Sequence, residues 1–232
     1  MHNHRPHTAL PGCFLILMLS LVPAVVLAAG SGGGGGLSGS TYDNNRRALP
    51  PEVLSEKAMR AGIKHRDRAL KQEAKAAKAK NDKARDKALA RAAKQYNKAI
   101  EKQREAIQLD SQNYKAANEL GYALRKTGDF RKSIGAYNYA LEINPNFYQA
   151  IEYRGEALLS LGYYNETQNA YMTLFRNDRG LADQLMERFE AWRAEKGDTL
   201  SEDEQRFAEW IESRKRLAEI STDLSFNNTR TW

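Results

Sequence analysis

The sequence specifies an all-α fold: helical hairpins stacked into a solenoid, with a long basic N-terminal helix and C-terminal capping helices. A thirty-four-residue period carries this expectation. Gly121, Ala123, Leu124, Gly128, Phe130 and Tyr137 recur as Gly155, Ala157, Leu158, Gly162, Tyr164 and Tyr171. In the other direction Tyr96, Ile100 and Ala106 precede Phe130, Ile134 and Ala140 by the same interval. A fixed period in this range marks units that bury their apolar faces only against their neighbours. Glycine and proline where helices must stop, and apolar residues at helical intervals, support the same reading.

Residues 1–29 have the three-part pattern of a signal peptide. A polar start, MHNHRPHTAL, precedes the apolar run from Phe14 to Leu21, and Val26 and Ala28 fit the small-residue positions before a cleavage site. Cleavage is expected after Ala28 or Ala29, which places the mature chain in a periplasmic or secreted compartment. The alternative is an uncleaved membrane anchor, although Phe14–Ala29 is short against the ~20 residues of a spanning helix and contains Pro23. Cleavage would remove Cys13, His2, His4 and His7, leaving His65 as the single histidine and no cysteine. No disulfide, thiol nucleophile or Cys/His metal site can be built from that remainder.

Residues 30–50 are Gly/Ser-rich and read as a flexible tether. Ser55, shortly after Pro50 and Pro51, is a candidate helix cap. Residues 51–95 then form a basic Ala/Lys-rich helical arm. Between 56 and 104 there are seventeen Lys or Arg against six Asp or Glu, whereas 178–223 hold thirteen acids against eight bases. Leu70–Leu89 has no large apolar residue between its ends, so the arm is expected to extend from the solenoid, wet on most sides. Like-charge pairs such as Lys71–Lys75 and Lys83–Lys87 each destabilise an isolated helix by ~0.2–0.5 kcal/mol. Lys71, Lys75, Lys78, Lys83, Lys87 and Arg91 are candidate contacts to a polyanion: an anionic lipid, an acidic cell-surface polymer or an acidic protein. Self-docking against the acidic C-terminal helices is a further use for this charge. Nucleic acid fits the charge but neither the export signal nor the absence of stacking aromatics between Met59 and Tyr96.

Residues 96–181 are the repeats: a half repeat from 80–113, then 114–147 and 148–181. In the central unit Gly128 ends a first helix, Asp129 caps a second, and Pro145 stops it. Phe130, Ile134, Tyr137 and Leu141 form its apolar stripe. Leu120, Gly121, Leu124, Gly128, Phe130, Tyr137, Ala140 and Pro145 together resemble the tetratricopeptide repeat. In 148–181 the first helix keeps the pattern, while Thr167, Leu174 and Arg179 stand at the two small-residue positions and the proline position. The first half of 80–113 lacks the Leu-Gly pair.

The resemblance implies a groove lined by the first helix of each repeat, where another protein or peptide binds. Its groove-facing positions are Lys115, Asn118, Tyr122, Arg125 and Lys126 in one repeat. In the next they are Gln149, Glu152, Glu156, Leu159 and Ser160. The cationic first set points to an extended peptide with an acidic segment. The set departs from the Lys/Asn pattern of family members that clamp a C-terminal carboxylate.

Residues 182–224 are expected to be capping helices. Leu181, Leu185, Phe189 and Trp192 share one face, and Phe207, Trp210, Ile211, Leu217 and Ile220 share another. Ser201 with Glu204 has the spacing of a capping box. Residues 225–232 read as a loose tail. Asn165 and Asn227 begin glycosylation-type triplets. No catalytic, metal-binding or cofactor site is expected: His65 lacks a Cys or Ser partner, and GSGGGGG lacks the Gly-Lys-Ser/Thr ending of a phosphate loop. The expected function is therefore a non-enzymatic adaptor or scaffold of the cell envelope. The alternative is a structural envelope protein whose basic arm holds a polyanion while the repeats space or oligomerise.

Overall fold

The computed structural model describes residues 49–227, so the expected signal peptide and nearly all of the expected tether lie outside the described residues. Eight helices follow in order: α1 (Pro51–Ala77), α2 (Asp82–Leu109), α3 (Tyr114–Lys126), α4 (Phe130–Ile143), α5 (Tyr148–Ser160), α6 (Tyr164–Asn177), α7 (Arg179–Glu195) and α8 (Glu202–Asn227). No strand occurs among the described residues. Consecutive helices pair as hairpins, and each first helix also packs on the first helix of the next pair, as α1 on α3, α3 on α5 and α5 on α7. This is the stacked helical-hairpin solenoid expected from the thirty-four-residue period.

The punctuation works as the residue types require. Gly128 and Gly162 take positive φ values of 84° and 74°, the left-handed region that costs glycine little. The side chains of Asn81, Asn113, Asp129 and Asp178 accept from backbone N–H groups in the first turns of α2, α3, α4 and α7. Ser201 and Glu204 form a reciprocal capping box at α8, with bonds of 2.9 and 3.3 Å. Lys196 holds the same carboxylate and, with the Ser201 N–H, lowers its pKa to about 2.

The basic segment departs from expectation. It is not one wet helix but the distal half of the α1–α2 hairpin, folded back through Ala77–Asn81. Ala69, Ala76, Ala88 and Ala92 are buried, so a stripe of methyl groups replaces the missing large side chains. Small side chains let two helices pack closely without a bulky core. Lys71, Lys75, Lys78, Lys83, Lys87 and Arg91 remain exposed around that seam. Ser55 is no cap either. Helix α1 begins at Pro51, and Ser55 is buried inside it, donating to the Ala106 carbonyl at 2.8 Å and accepting from Asn113 at 2.9 Å.

The α1–α2 pair is thus an elongated relative of the later hairpins. Gln103 stands one period before Tyr137, and the two face Gly62 and Gly121 respectively across the helix crossing. Gln103 also donates to the Met59 carbonyl at 3.1 Å.

The C-terminal core is aromatic. Phe207 lies against Tyr164, Trp192 and Phe189 at 4.9, 5.1 and 5.3 Å between centroids. Tyr171 meets the edge of Trp210 at 5.4 Å. Leu185, Phe189 and Ile211 are buried, as their helical spacing predicts. Leu217 and Ile220 are not: they are 49% and 55% exposed, because no described helix follows α8 to cover them. Helix α8 also continues to Asn227, three residues past the expected end of the cap.

Candidate functional site: a groove along the first helices

One face of the stacked first helices carries a ladder of tyrosines, arginines and carboxylates. Helical spacing puts Tyr122, Arg125 and Lys126 on one side of α3, and Glu152, Tyr153 and Glu156 on the matching side of α5. With Gln184, Glu187 and Arg188 of α7 they line a cavity of about 420 Å³.

Arg125 is the centre of this ladder. Its guanidinium lies over the rings of Tyr122 and Tyr153, 5.3 Å from each centroid, and it pairs with Glu156. Arg188 approaches the same Glu156 oxygen at 3.6 Å. Burial works most strongly against the Arg125 charge, but Glu156, Tyr137 and Glu152 together outweigh it and raise its pKa. Towards the basic hairpin, Arg66 bonds Glu119 at 2.6 Å and lies 5.9 Å from the Tyr122 centroid. Lys126 pairs with Glu73 at 3.0 Å and lies 6.0 Å from the Tyr96 centroid. Every cation on this face therefore has a carboxylate beside it. The cationic first set read from sequence is balanced here by acids from α1 and α5.

Glu152 is the anomaly. It is 2% exposed, and its Oε2 has no hydrogen-bond partner. Desolvation first, then the neighbouring Glu156, push its pKa up to about 8. Both effects favour the protonated form, in which the carboxyl can sit beneath Glu156 without a second counter-charge.

The structure brings together Tyr122, Arg125, Lys126, Glu152 and Glu156 of the expected set. Lys115, Asn118 and Gln149 do not line the cavity. Lys115 is exposed, and Asn118 is turned into the protein and buried. Tyr153, Gln184, Glu187 and Arg188 were not legible from sequence. Helix α7 starts directly after Asp178, without the loop that separates α4 from α5. The thirty-four-residue register therefore slips there, and a strict projection misplaces the α7 side chains. At the basic hairpin, none of the six expected polyanion contacts makes an ion pair among the described residues. No helix among the described residues is long and apolar enough to cross a membrane.

Stacked helical hairpins whose first helices line a shared groove define a helical-repeat interaction module. The sequence model described as "Tetratricopeptide repeat" matches residues 114–147, which are α3, α4 and their flanking turns. Residues 114–147 thus carry a tetratricopeptide repeat, and repeats of this kind suggest a protein–protein interaction scaffold. Among solved structures, the Arabidopsis OM64 TPR domain is similar at 20% sequence identity, with a TM-score of 0.41, covering 56% of this chain and 95% of that one. No curated protein matches the chain.

Proposed function

We propose that this protein is a non-enzymatic adaptor of the cell envelope, exported by its N-terminal signal, that binds an extended segment of a partner protein in the groove along α3, α5 and α7. The observation that carries this reading is the tyrosine and charge ladder around the 420 Å³ cavity. Tyrosines supply rigid contact area with a polar tip, and paired charges supply orientation. Arg125 is committed to Glu156 and two rings, so an acidic partner residue would meet Arg188 at one rim, or compete with Glu73 for Lys126 at the other. Arg188 suits that role, with 61% of its side chain exposed and its one ion pair among the described residues a long one at 3.6 Å.

The test uses the full chain as bait in native envelope extract, with Lys126→Glu and Arg188→Glu as groove variants. The expected outcome is a discrete partner whose affinity falls about tenfold in the double variant, which corresponds to about 1.4 kcal/mol. A partner held equally well by the double variant, with its fold confirmed by circular dichroism, would remove the groove from the account.

A second reading has its own observation: six exposed, unpaired cations on the α1–α2 hairpin. It predicts that the chain binds anionic phosphatidylglycerol vesicles and that binding falls steeply with salt. Replacing Lys71, Lys75, Lys83 and Lys87 by Gln should then cost roughly a hundredfold or more, at about 1 kcal/mol per lysine near an anionic surface. Binding insensitive to salt or to these four changes would dispose of that reading.

A further inference from the structure

A different face of the solenoid holds a cation with no counter-charge among the described residues. Arg154 of α5 stands one thirty-four-residue period after Leu120, the leucine of the Leu-Gly pair, so a guanidinium occupies a position where the preceding repeat places an apolar side chain. The rest of that helix keeps the repeat: Gly155, Ala157 and Leu158 follow as Gly121, Ala123 and Leu124 do. Arg154 opens into a cavity of about 360 Å³ between α4, α5 and α6, lined also by Ile134, Asn138, Leu158, Asn169 and Thr173.

Three facts about this arginine belong together. Its Nη1 donates to Asn138 Oδ1 at 2.8 Å, a neutral acceptor. Its Nε is enclosed and has no hydrogen-bond partner. Arg66 and Arg125, half-buried on α1 and α3, each hold a carboxylate, whereas among the described residues no ion pair reaches Arg154. Glu166 lines the same cavity but is exposed and unpaired with it. Desolvation alone acts on the Arg154 charge and lowers its pKa. A half-buried charge left without a counter-charge is unfavourable, because it has lost part of its hydration and gained no ion pair in return. With Oδ1 turned to Arg154, the Asn138 amide has its N–H donors left for a further acceptor.

We infer that the Arg154 cavity is a carboxylate-binding site, separate from the groove, in which Arg154 supplies the charge and the Asn138 amide a second donor. A planar guanidinium matches a carboxylate through parallel N–H donors, which gives geometry as well as charge. The cavity volume suits one acidic side chain of a partner or a small free dicarboxylate.

The test is nuclear magnetic resonance of the full chain, following the arginine Nε–Hε signals and the backbone amides of 134–138 and 166–173. The probes are succinate and a short end-blocked Gly-Glu-Gly peptide, each against sodium chloride at matched ionic strength. A saturable shift localised to Arg154, Asn138 and the cavity amides supports the site. Response to succinate alone identifies a free dicarboxylate, and response to the peptide identifies an acidic partner side chain. The same shifts with chloride, or their persistence in Arg154→Gln, would overturn it. Arg154→Leu, which restores the residue type of Leu120, separates ligand binding from structure. Without probe its Tm should rise by a few degrees, and its response to either probe should vanish. A fall in Tm would mean that Arg154 is a structural residue, contradicting the site. Groove variants should leave these shifts unchanged, so this inference and the groove reading fail independently.

Discussion

At the scale of single residues, two glycines of the central repeat make opposite predictions. A Cβ at Gly121 would lie 2.5 Å from Cε1 of the buried Tyr137 ring, whereas one at Gly135 would meet nothing within 4 Å. Gly121→Ala should therefore destabilise the protein by about 1–3 kcal/mol through overpacking. Gly135→Ala should stabilise it by about 0.5–1 kcal/mol, because alanine is the better helix former. Urea titrations of both variants check this, and equal effects would mean that the α3–α4 crossing is looser than the structure has it. Glu152 sets a pH dependence. Its folded pKa of about 8 lies above the ordinary carboxylate value, so the folded state binds the extra proton. Its contribution is fully present below about pH 4, and it is lost as pH rises through 8. Glu152→Gln keeps the neutral shape, so it should flatten stability between pH 5 and 9, read as the urea midpoint against pH. An unchanged slope would assign the dependence elsewhere.

At the scale of elements, what could be read in advance followed side-chain size. The later hairpins announce themselves through large apolar residues at helical intervals and through Gly128, Gly162, Asp129 and Pro145. The α1–α2 hairpin does not, because its seam is built from Ala69, Ala76, Ala88 and Ala92, which blend into a helix-favouring background. Its kinship with the repeats shows only in Gly62 opposite Gln103, hidden by the long excursion to Asn81 and back. Half of the groove was legible because α3 and α5 keep register, and α7 was lost because Asp178 alone separates it from α6. The partners of Arg66 and Lys126 were invisible for another reason: Glu119 and Glu73 meet them across helices, at sequence distances of 53 and 53 residues. Two element-level outcomes follow. Ala92→Leu should open the α1–α2 seam and cost about 1–3 kcal/mol, read by thermal unfolding. Phe207→Ala should cost about 3–5 kcal/mol, because four rings lose their common neighbour and α8 its main anchor. A Phe207→Ala cost below about 1 kcal/mol would show that α8 is held by something other than this cluster.

At the scale of the whole molecule, charge runs along the stack. The basic end is the α1–α2 hairpin, the acidic end is α7–α8, and neither α1 nor α2 packs against α7 or α8. Docking of the arm on the acidic helices of its own chain is thus not part of this fold. Between the two ends lies the face where cations and carboxylates are matched and where tyrosines supply contact area. A groove of this kind favours a partner by shape and by the order of its charges rather than by net attraction. Its binding should depend on salt less steeply than any binding by the hairpin. The most direct measurement is site-specific photocrosslinking in native envelope, with the reactive residue at Gln184 in the groove and at Lys83 on the hairpin in separate chains. The groove account predicts a discrete protein adduct from position 184, retained at high salt and absent from position 83. Adducts from position 83 alone, dispersed by salt, would contradict it and assign the function to the basic hairpin.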